Sequence, residues 1–502
     1  MERILLVFIC MCLVAGNIPY VRAQTSIFTL DPHLLNWVKF NISPVTHLPY
    51  SFYIPENDKP EIYRRMESSG ALKGTIERMI THEGMDIYDG ALYQIVLSMT
   101  GSEENLIEAS LADHYYWQGS VGDTWNIRAG YPINTFVYDP KNPESVSSDI
   151  SRLGKRGFIF RIIDADGNYL VTDPLDGKKS LAGFPDNDRL HWVDWKPVAG
   201  ENAWVVIAAM QIYHKKYYDL ATGLYSQHSD SVELKLSREL ARAAMILQSE
   251  SGGIRMAPLG TYRNLKDEEK KDFNEKDWWY RHISTENNIS WYAAFRMLYQ
   301  VTRDPQYKKA MDAIERYLRF VWDEKQGLFY QGAYFINGRW VISNENFALD
   351  VQTWGLACIG PKNLDEWFGS GSAWRIWQAG RKHSGFFDKQ GNLLGVGFTD
   401  EHDRISVEWS AGAMTALTEL ADYYKVRNLS WAIQALGDKF SMRKSMESLH
   451  VDISKSLAAY SYSSRRGDIP FGWNSHDPQV MSLSSTGWMI FVDAGFNPFW
   501  LV

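Results

Sequence analysis

Ser284-Thr-Glu-Asn-Asn-Ile-Ser-Trp-Tyr-Ala-Ala-Phe-Arg-Met-Leu-Tyr-Gln-Val301, interrupted by Asp304-Pro305 and resumed from Gln306 to Asp323, is the stretch on which the fold turns. Over 287–301, Ile289, Tyr292, Ala293, Met297 and Val301 recur at helical spacing, and over 306–323 so do Ala310, Ile314, Tyr317, Leu318 and Val321. Apolar residues three and four apart predict one buried face per helix, and Asp-Pro between them is a helix start signal. The stretch therefore reads as two antiparallel helices joined by a tight turn.

The same unit repeats. The spacing predicts pairs at 347–360 with 372–384, 408–424 with 428–446, and 450–462 with 484–493, and an earlier core helix from Tyr88 to Met99. Hairpins at this period argue for helices stacked in a ring or superhelix. Several of the helices open alike, with an acid, a nearby tryptophan and then small apolar residues. The openings are Glu201-Asn-Ala-Trp204, Glu286-Asn-Asn-Ile-Ser-Trp291, Asp350-Val-Gln-Thr-Trp354 and Glu408-Trp409. Small side chains let helices crowd along an inner wall, and a carboxylate beside a flat indole suits a sugar. Such helices fit the inside of a helical barrel with its mouth at their N-terminal ends.

The repeated hairpins, these openings, and the phrases Ser284-Thr-Glu-Asn-Asn288 and Leu349-Asp-Val-Gln-Thr-Trp354 resemble the six-hairpin glycosidase-like superfamily, the α/α toroids of many glycoside hydrolases and polysaccharide lyases. The resemblance covers roughly 200–494, with Tyr88-Asp-Gly-Ala-Leu-Tyr-Gln94 as an earlier inner helix. It implies a mainly α fold, an α/α toroid or barrel of helical hairpins, with a sugar chain lying across one end. Small β-hairpins are expected as insertions. One is predicted at Asn337-Gly338, and another where alternating apolar residues flank Asp164-Ala-Asp-Gly-Asn168. The latter is read as a turn, not a calcium loop, because no distal Glu follows at the right place.

Glycoside hydrolysis needs one protonated carboxyl group and one carboxylate. The pool is Asp86, Asp89, Asp194, Glu201, Glu286, Asp350 and Glu408. A first-turn carboxylate also stabilises a helix dipole, which lowers its pKa and favours base or electrostatic roles for Glu201, Glu286 and Glu408. Asp350, between Leu349 and Val351, suits the acid. The cluster Trp278-Trp-Tyr-Arg-His282 offers Trp279 and Arg281 to substrate and keeps elimination on a uronate polymer open, with Tyr280 and His282, or Tyr292, as base and acid. Further substrate contacts are expected from Asp89, Trp195, Asn287, Tyr292, Trp354 and Trp409, and from Arg466 and Trp473 on a glycine-broken loop. A third possibility is a glycan-binding toroid without turnover.

Residues 1–23 read as a secretory signal peptide: Arg3, an apolar run from Leu5 to Gly16, and Val21-Arg-Ala23. The expected division is that leader, a wrapping segment at 24–75, and a barrel at 76–502 carrying a partly β insertion near 100–190. An exported, periplasmic or extracellular protein with Cys358 as its single cysteine after residue 23 cannot form an internal disulfide and must rely on a large core. With a formal net charge of -8 and no basic stripe, nucleic acid is not an expected partner. Neither is membrane insertion once the leader is removed; a poly- or oligosaccharide is. No phosphate-binding glycine loop, dinucleotide fingerprint or paired-cysteine site occurs, so no metal and no cofactor is expected.

Overall fold

The computed structural model describes residues 28–68, 80–118, 158–166 apart from 160, 197–258 apart from 227, 278–344, 346–469 and 473–501, plus short backbone strands between 137 and 194. The helices are α1 Pro32–Phe40, α2 Lys59–Ser68, α3 Ile87–Met99, α4 Glu103–Gln118, α5 Ala199–Tyr217, α6 Val232–Ile246 and α7 Thr285–Thr302. They continue as α8 Pro305–Phe320, α9 Leu349–Ile359, α10 Pro361–Phe368, α11 Ser372–Ser384, α12 Val407–Tyr424, α13 Leu429–Met446 and α14 Leu483–Ala494.

Burial sorts these helices into two shells. Along α5 everything from Asn202 to His214 is buried, whereas α8 buries only Tyr307, Ala310, Ala313, Ile314, Tyr317 and Leu318. A helix apolar all round belongs inside, and one with a single stripe belongs outside. The inner helices pack in cyclic order, α3 on α5, then α7, α9, α12, α14 and back to α3. Outside them, α4, α6, α8, α11 and α13 each back the inner helix that precedes them. The chain is an α/α toroid, as the hairpin repeat predicts.

Capping explains where most inner helices begin. Ser284, Ser406 and Ser482 accept hydrogen bonds from the backbone N–H groups of Asn287, Trp409 and Ser485, and Asp86 from that of Tyr88. Each satisfies a donor that the first turn leaves unpaired.

The sixth hairpin departs from expectation. Residues 450–462 are not helical: His450–Asp452 pairs antiparallel with Ala458–Tyr460. Ser454-Lys-Ser456 turns the chain there, and the apolar runs on either side are too short for a helix. The outer partner of α14 is instead α1, from the other end of the sequence. Strand Phe52–Tyr53 also pairs with Met481–Ser482, so the wrapping segment ties the last inner helix to the first.

The β-hairpin about Asn337-Gly338 forms as predicted, Gly332–Ile336 against Arg339–Ser343, with His282–Ser284 as its third strand. That expected at 157–172 does not. Ile162–Asp164 lies between Gly84–Asp86 and His191–Asp194, and Val171–Thr172 pairs with Lys179–Ser180. Asp166 is fastened instead by Ser43 Oγ and Tyr50 OH, each donating at 2.6 Å. The stretch from about 100 also opens with a full outer helix, α4.

Gly252 gives a stability prediction. Its φ is +95°, and a Cβ there would lie 2.0 Å from the Ala313 carbonyl oxygen. Gly252→Ala should lower stability by more than the ~1–3 kcal/mol that such a backbone conformation costs a non-glycine residue, read as a lower urea midpoint. An unchanged midpoint would mean that the helix carrying Ala313 yields.

Candidate active site

The N-terminal ends of the inner helices carry Asp86, Tyr88 and Asp89 (α3), Glu201 (α5), Glu286 and Asn287 (α7), Asp350 (α9), Glu408 (α12) and Ser484 (α14). These groups converge. Glu286 feels the charges of Asp350, Glu201 and Glu408, while Asp89 feels those of Asp86 and Glu408. Asp86, Tyr88, Glu201, Glu286 and Asp350 are partly exposed, so the ring of carboxylates opens to solvent, whereas Asp89 and Glu408 are buried beside it.

One cation is built into this ring. Arg161 lies 3.3 Å from Glu201 and 3.6 Å from Asp86, bridging the ends of α5 and α3. On α7, Ser290 Oγ donates to Glu286 Oε1 at 2.9 Å. The Asn287 amide, turned so that both its ends are satisfied, donates to Glu286 Oε2 at 2.5 Å and accepts from Gly200 N–H at 3.2 Å. Glycine at 200 leaves room for that amide. Tyr88 OH donates to Glu408 Oε1 at 2.6 Å and accepts from Trp488 Nε1 at 2.7 Å.

Burial dominates the electrostatics. It pushes Asp350 and Glu408 up to about 7, with the Glu408 charge adding to the shift of Asp350. Glu286 is raised well above the usual carboxylate range by burial and by its acidic neighbours, and Asp89 likewise. The expectation that helix dipoles depress Glu286 and Glu408 is therefore overturned, because desolvation and like charge outweigh the dipole. These shifts have a sign for stability. Native Asp350 and Glu408 hold protons between pH ~4 and ~7 that the unfolded chain has released, so their contribution falls as pH rises through that window. The melting temperature should decline across it, less steeply in Glu408→Gln; equal slopes would show that Glu408 does not titrate there.

Beneath the carboxylates an aromatic cluster fills the axis. Trp204 meets Tyr88, Trp354, Trp488 and Phe499 at ring-centre distances of 5.1, 5.2, 5.9 and 5.1 Å, and Trp354 stacks on Trp488 at 5.6 Å. Gly412 admits Trp354, since a Cβ there would lie 2.9 Å from the indole nitrogen. The far end is closed by 497–500. Gln211 Nε2 donates to the carbonyls of Pro498 and Trp500 at 2.9 and 2.8 Å, and Arg296 donates to those of Phe499 and Cys358 at 2.8 and 2.6 Å. That end of the toroid is thus packed shut.

No protein-family model matches the chain, and no curated protein matches it in sequence. Solved structures do. Cellobiose 2-epimerase from Bacillus thermoamylovorans superposes with a TM-score of 0.52 at 12% identity, covering 92% of this chain and 96% of that one. A D-mannose isomerase gives 0.51 at 10% identity over the same shares, 92% and 96%. A family 76 glycoside hydrolase from a bovine Bacteroides thetaiotaomicron strain gives 0.48 at 11% identity, over 92% and 75%. The chain shares the α/α toroid fold of the first two of these structures. At these identities the likeness concerns architecture, and the neighbours are carbohydrate-processing enzymes.

Within the toroid, the sequence-predicted residues divide. Asp89, Glu201, Glu286, Asn287, Asp350 and Glu408 lie together at the mouth end, with Trp354 beneath them in the axial cluster. Tyr292 does not join them. It is buried nearly two turns further along α7, against Trp367 of the outer layer and the Arg296 guanidinium. Trp409 is buried edge-on to Phe398 and offers no free face for a sugar. His282 packs between Trp278 and Tyr334, its Nδ1 bonded to the Trp278 carbonyl. Tyr280 lies under the Arg255 guanidinium, Trp279 is edge-on to Trp278, and Arg281 is exposed. Arg466 is 4.0 Å from Asp477, and Trp473 contributes backbone to a strand against Ile469. Asp194 likewise lies on a strand, while Trp195 and residues 1–23 lie outside the described residues. Tyr88, Arg161, Ser290 and Trp488 were not singled out in the sequence, because no spacing rule marks a tyrosine or serine that serves a carboxylate from another helix.

Proposed function

We propose that this protein is an exported carbohydrate-active enzyme that hydrolyses glycosidic bonds of a poly- or oligosaccharide. The observation that carries the reading is one ring holding two carboxyl groups in different surroundings: Asp350, pushed up to about 7 by desolvation and the Glu408 charge, and Glu201, 3.3 Å from the Arg161 guanidinium. Asp350 gives its proton to the glycosidic oxygen as that oxygen leaves the anomeric carbon. Glu201 takes a proton from the water whose oxygen forms the new bond. One acid and one base, acting on opposite sides of the bond, are what the reaction requires. The fold of the sugar-processing neighbours supports this choice of substrate, and the apolar segment from Leu5 to Gly16 supports export.

The same ring argues for an uncharged glycan over a uronate, because the carboxylates oppose an anionic sugar and the guanidinium of Arg161 is already committed to two of them. Elimination also loses Tyr292, which is buried away from the mouth.

The test incubates residues 24–502 with neutral, uronate and amino-sugar oligosaccharides and with free cellobiose and mannose. New reducing ends from a neutral glycan are expected. A product absorbing in the near ultraviolet would establish elimination instead. Isomerised free sugar would place the reaction with those named for two of the structural neighbours, and binding without product would leave a glycan-binding toroid.

A further inference from the structure

We propose that Tyr88 is a positioning residue that fixes which oxygen of Glu408 carries the exchangeable proton, acting as the middle link of a directed chain from Trp488 through Tyr88 to Glu408. The inference rests on the hydrolase reading only for what the chain is used for, not for its existence.

The direction follows from donor chemistry. An indole N–H can only donate. Trp488 Nε1 is 2.7 Å from the Tyr88 oxygen, so that oxygen accepts there, and the single phenolic proton is left to point at Glu408 Oε1, 2.6 Å away. Burial and the neighbouring Glu408 charge raise Tyr88 well above its usual range, so the phenol keeps its proton. Its ring is held between Trp204, edge-on at 5.1 Å, and Trp354, tilted at 6.1 Å, which leaves the hydroxyl little freedom to swing. Glu408 Oε1 is therefore an acceptor in both of its charge states, and the proton it gains near neutrality belongs on Oε2.

The chain also sets the strength of Glu408 as an acid. Hydrogen bonds from Tyr88 and Ser484 favour its charged form against the desolvation that opposes it. The other charged groups facing this part of the ring are Asp86 and Asp89 from α3, Glu201 from α5, Glu286 from α7, Asp350 from α9, and Arg161. The hydrogen bonds that lower the Glu408 value come from Tyr88 and Ser484, and Tyr88, the one tied onward to Trp488, is a replaceable contact through which its titration is tuned.

The experiment follows the carboxylic-acid infrared band of Glu408 against pH in the ligand-free protein, assigned as the band lost in Glu408→Gln. Tyr88→Phe keeps the ring and removes the donor, so the midpoint should move upward by about one to two pH units, the worth of a hydrogen bond to a charged group. Trp488→Phe leaves the phenol in place but frees its proton, giving a smaller upward move and a band split between two oxygen environments. A Tyr88→Phe midpoint that coincides with wild type overturns the proposal, whatever happens to activity. A shifted midpoint in a protein that cleaves no glycan sustains the chain and counts against the hydrolase reading alone. On an active glycan, the limb of the pH-rate profile governed by Glu408 should shift in step, and a loss of rate without that shift would reduce Tyr88 to a packing role.

Discussion

Asp350→Asn is expected to lower turnover on the active glycan by about 10²–10⁴-fold, the usual contribution of a positioned acid or base, with the fold intact. The substitution is close to isosteric, and the contact from Val351 N–H to Oδ1, at 2.8 Å, can be kept by the amide oxygen. What disappears is the proton. Asp350 holds one because its carboxyl is desolvated at the ring and because the Glu408 charge opposes its ionisation. Asparagine at 350 also cannot ionise against the Glu408 charge, so the folded protein should be no less stable at pH 8 than the wild type. Glu286→Gln gives a second test, since Glu286 and Asp350 influence each other's ionisation. If the two share one proton, either substitution moves the alkaline limb of the pH-rate profile, and the double variant is little worse than the more damaged single one. Near-normal turnover in Asp350→Asn would remove this carboxyl from the reaction.

Phe499→Ala should cost about 3–5 kcal/mol, the range for deleting a fully buried aromatic ring from a tight core. Phe499 is fully buried and touches Trp204, Trp354 and Trp488 with ring centres between 5.1 and 6.1 Å. Those three indoles cannot close over the void without moving, and Trp488 is the group that holds Tyr88. Chemical denaturation reads the stability term. A parallel drop in activity at temperatures where the variant is fully folded would show that disturbance at the floor reaches the carboxylates. A loss under ~1 kcal/mol would mean that the segment 497–500 is only loosely seated, against the hydrogen bonds from Gln211 and Arg296.

The toroid was legible because its signal is periodic and local. The paired stripes of 287–323, the acid-plus-tryptophan openings and the cap residues each depend on neighbours within a turn or two, and all of the inner helices named from the sequence formed. The sixth hairpin was not legible. Its outer helix, Pro32–Phe40, lies hundreds of residues from its partner, and no periodicity links them. Proximity in sequence pointed to 450–462 instead, a segment that turns at Ser454-Lys-Ser456. Convergence of Glu201, Glu286, Asp350 and Glu408 followed from one rule applied to each helix start. The aromatic assignments fared unevenly because a sequence does not distinguish an indole packed on the axis beneath the carboxylates, as Trp354 is, from one packed in the wall, as Trp409 is. Trp354 and Trp409 open their helices alike, yet both are buried. The ionisation states also escaped the sequence, since desolvation by the whole ring reversed what each isolated helix end would impose.

The pairing of α1 and Phe52–Tyr53 with the segment around α14 has a kinetic meaning. The ring is fastened by a noncovalent clasp between residues more than four hundred positions apart, so its last joint can form only after residue 483 has left the ribosome. Until then α3 presents an apolar flank to solvent, the kind of transient edge at which large proteins misassemble. Ser51, beside that clasp, accepts from the Asp86 N–H at 2.7 Å and bonds the Asp89 side chain. Completion of the circle thus also sets Asp86 and Asp89 in place, and a chain stalled short of it lacks that side of the acidic ring.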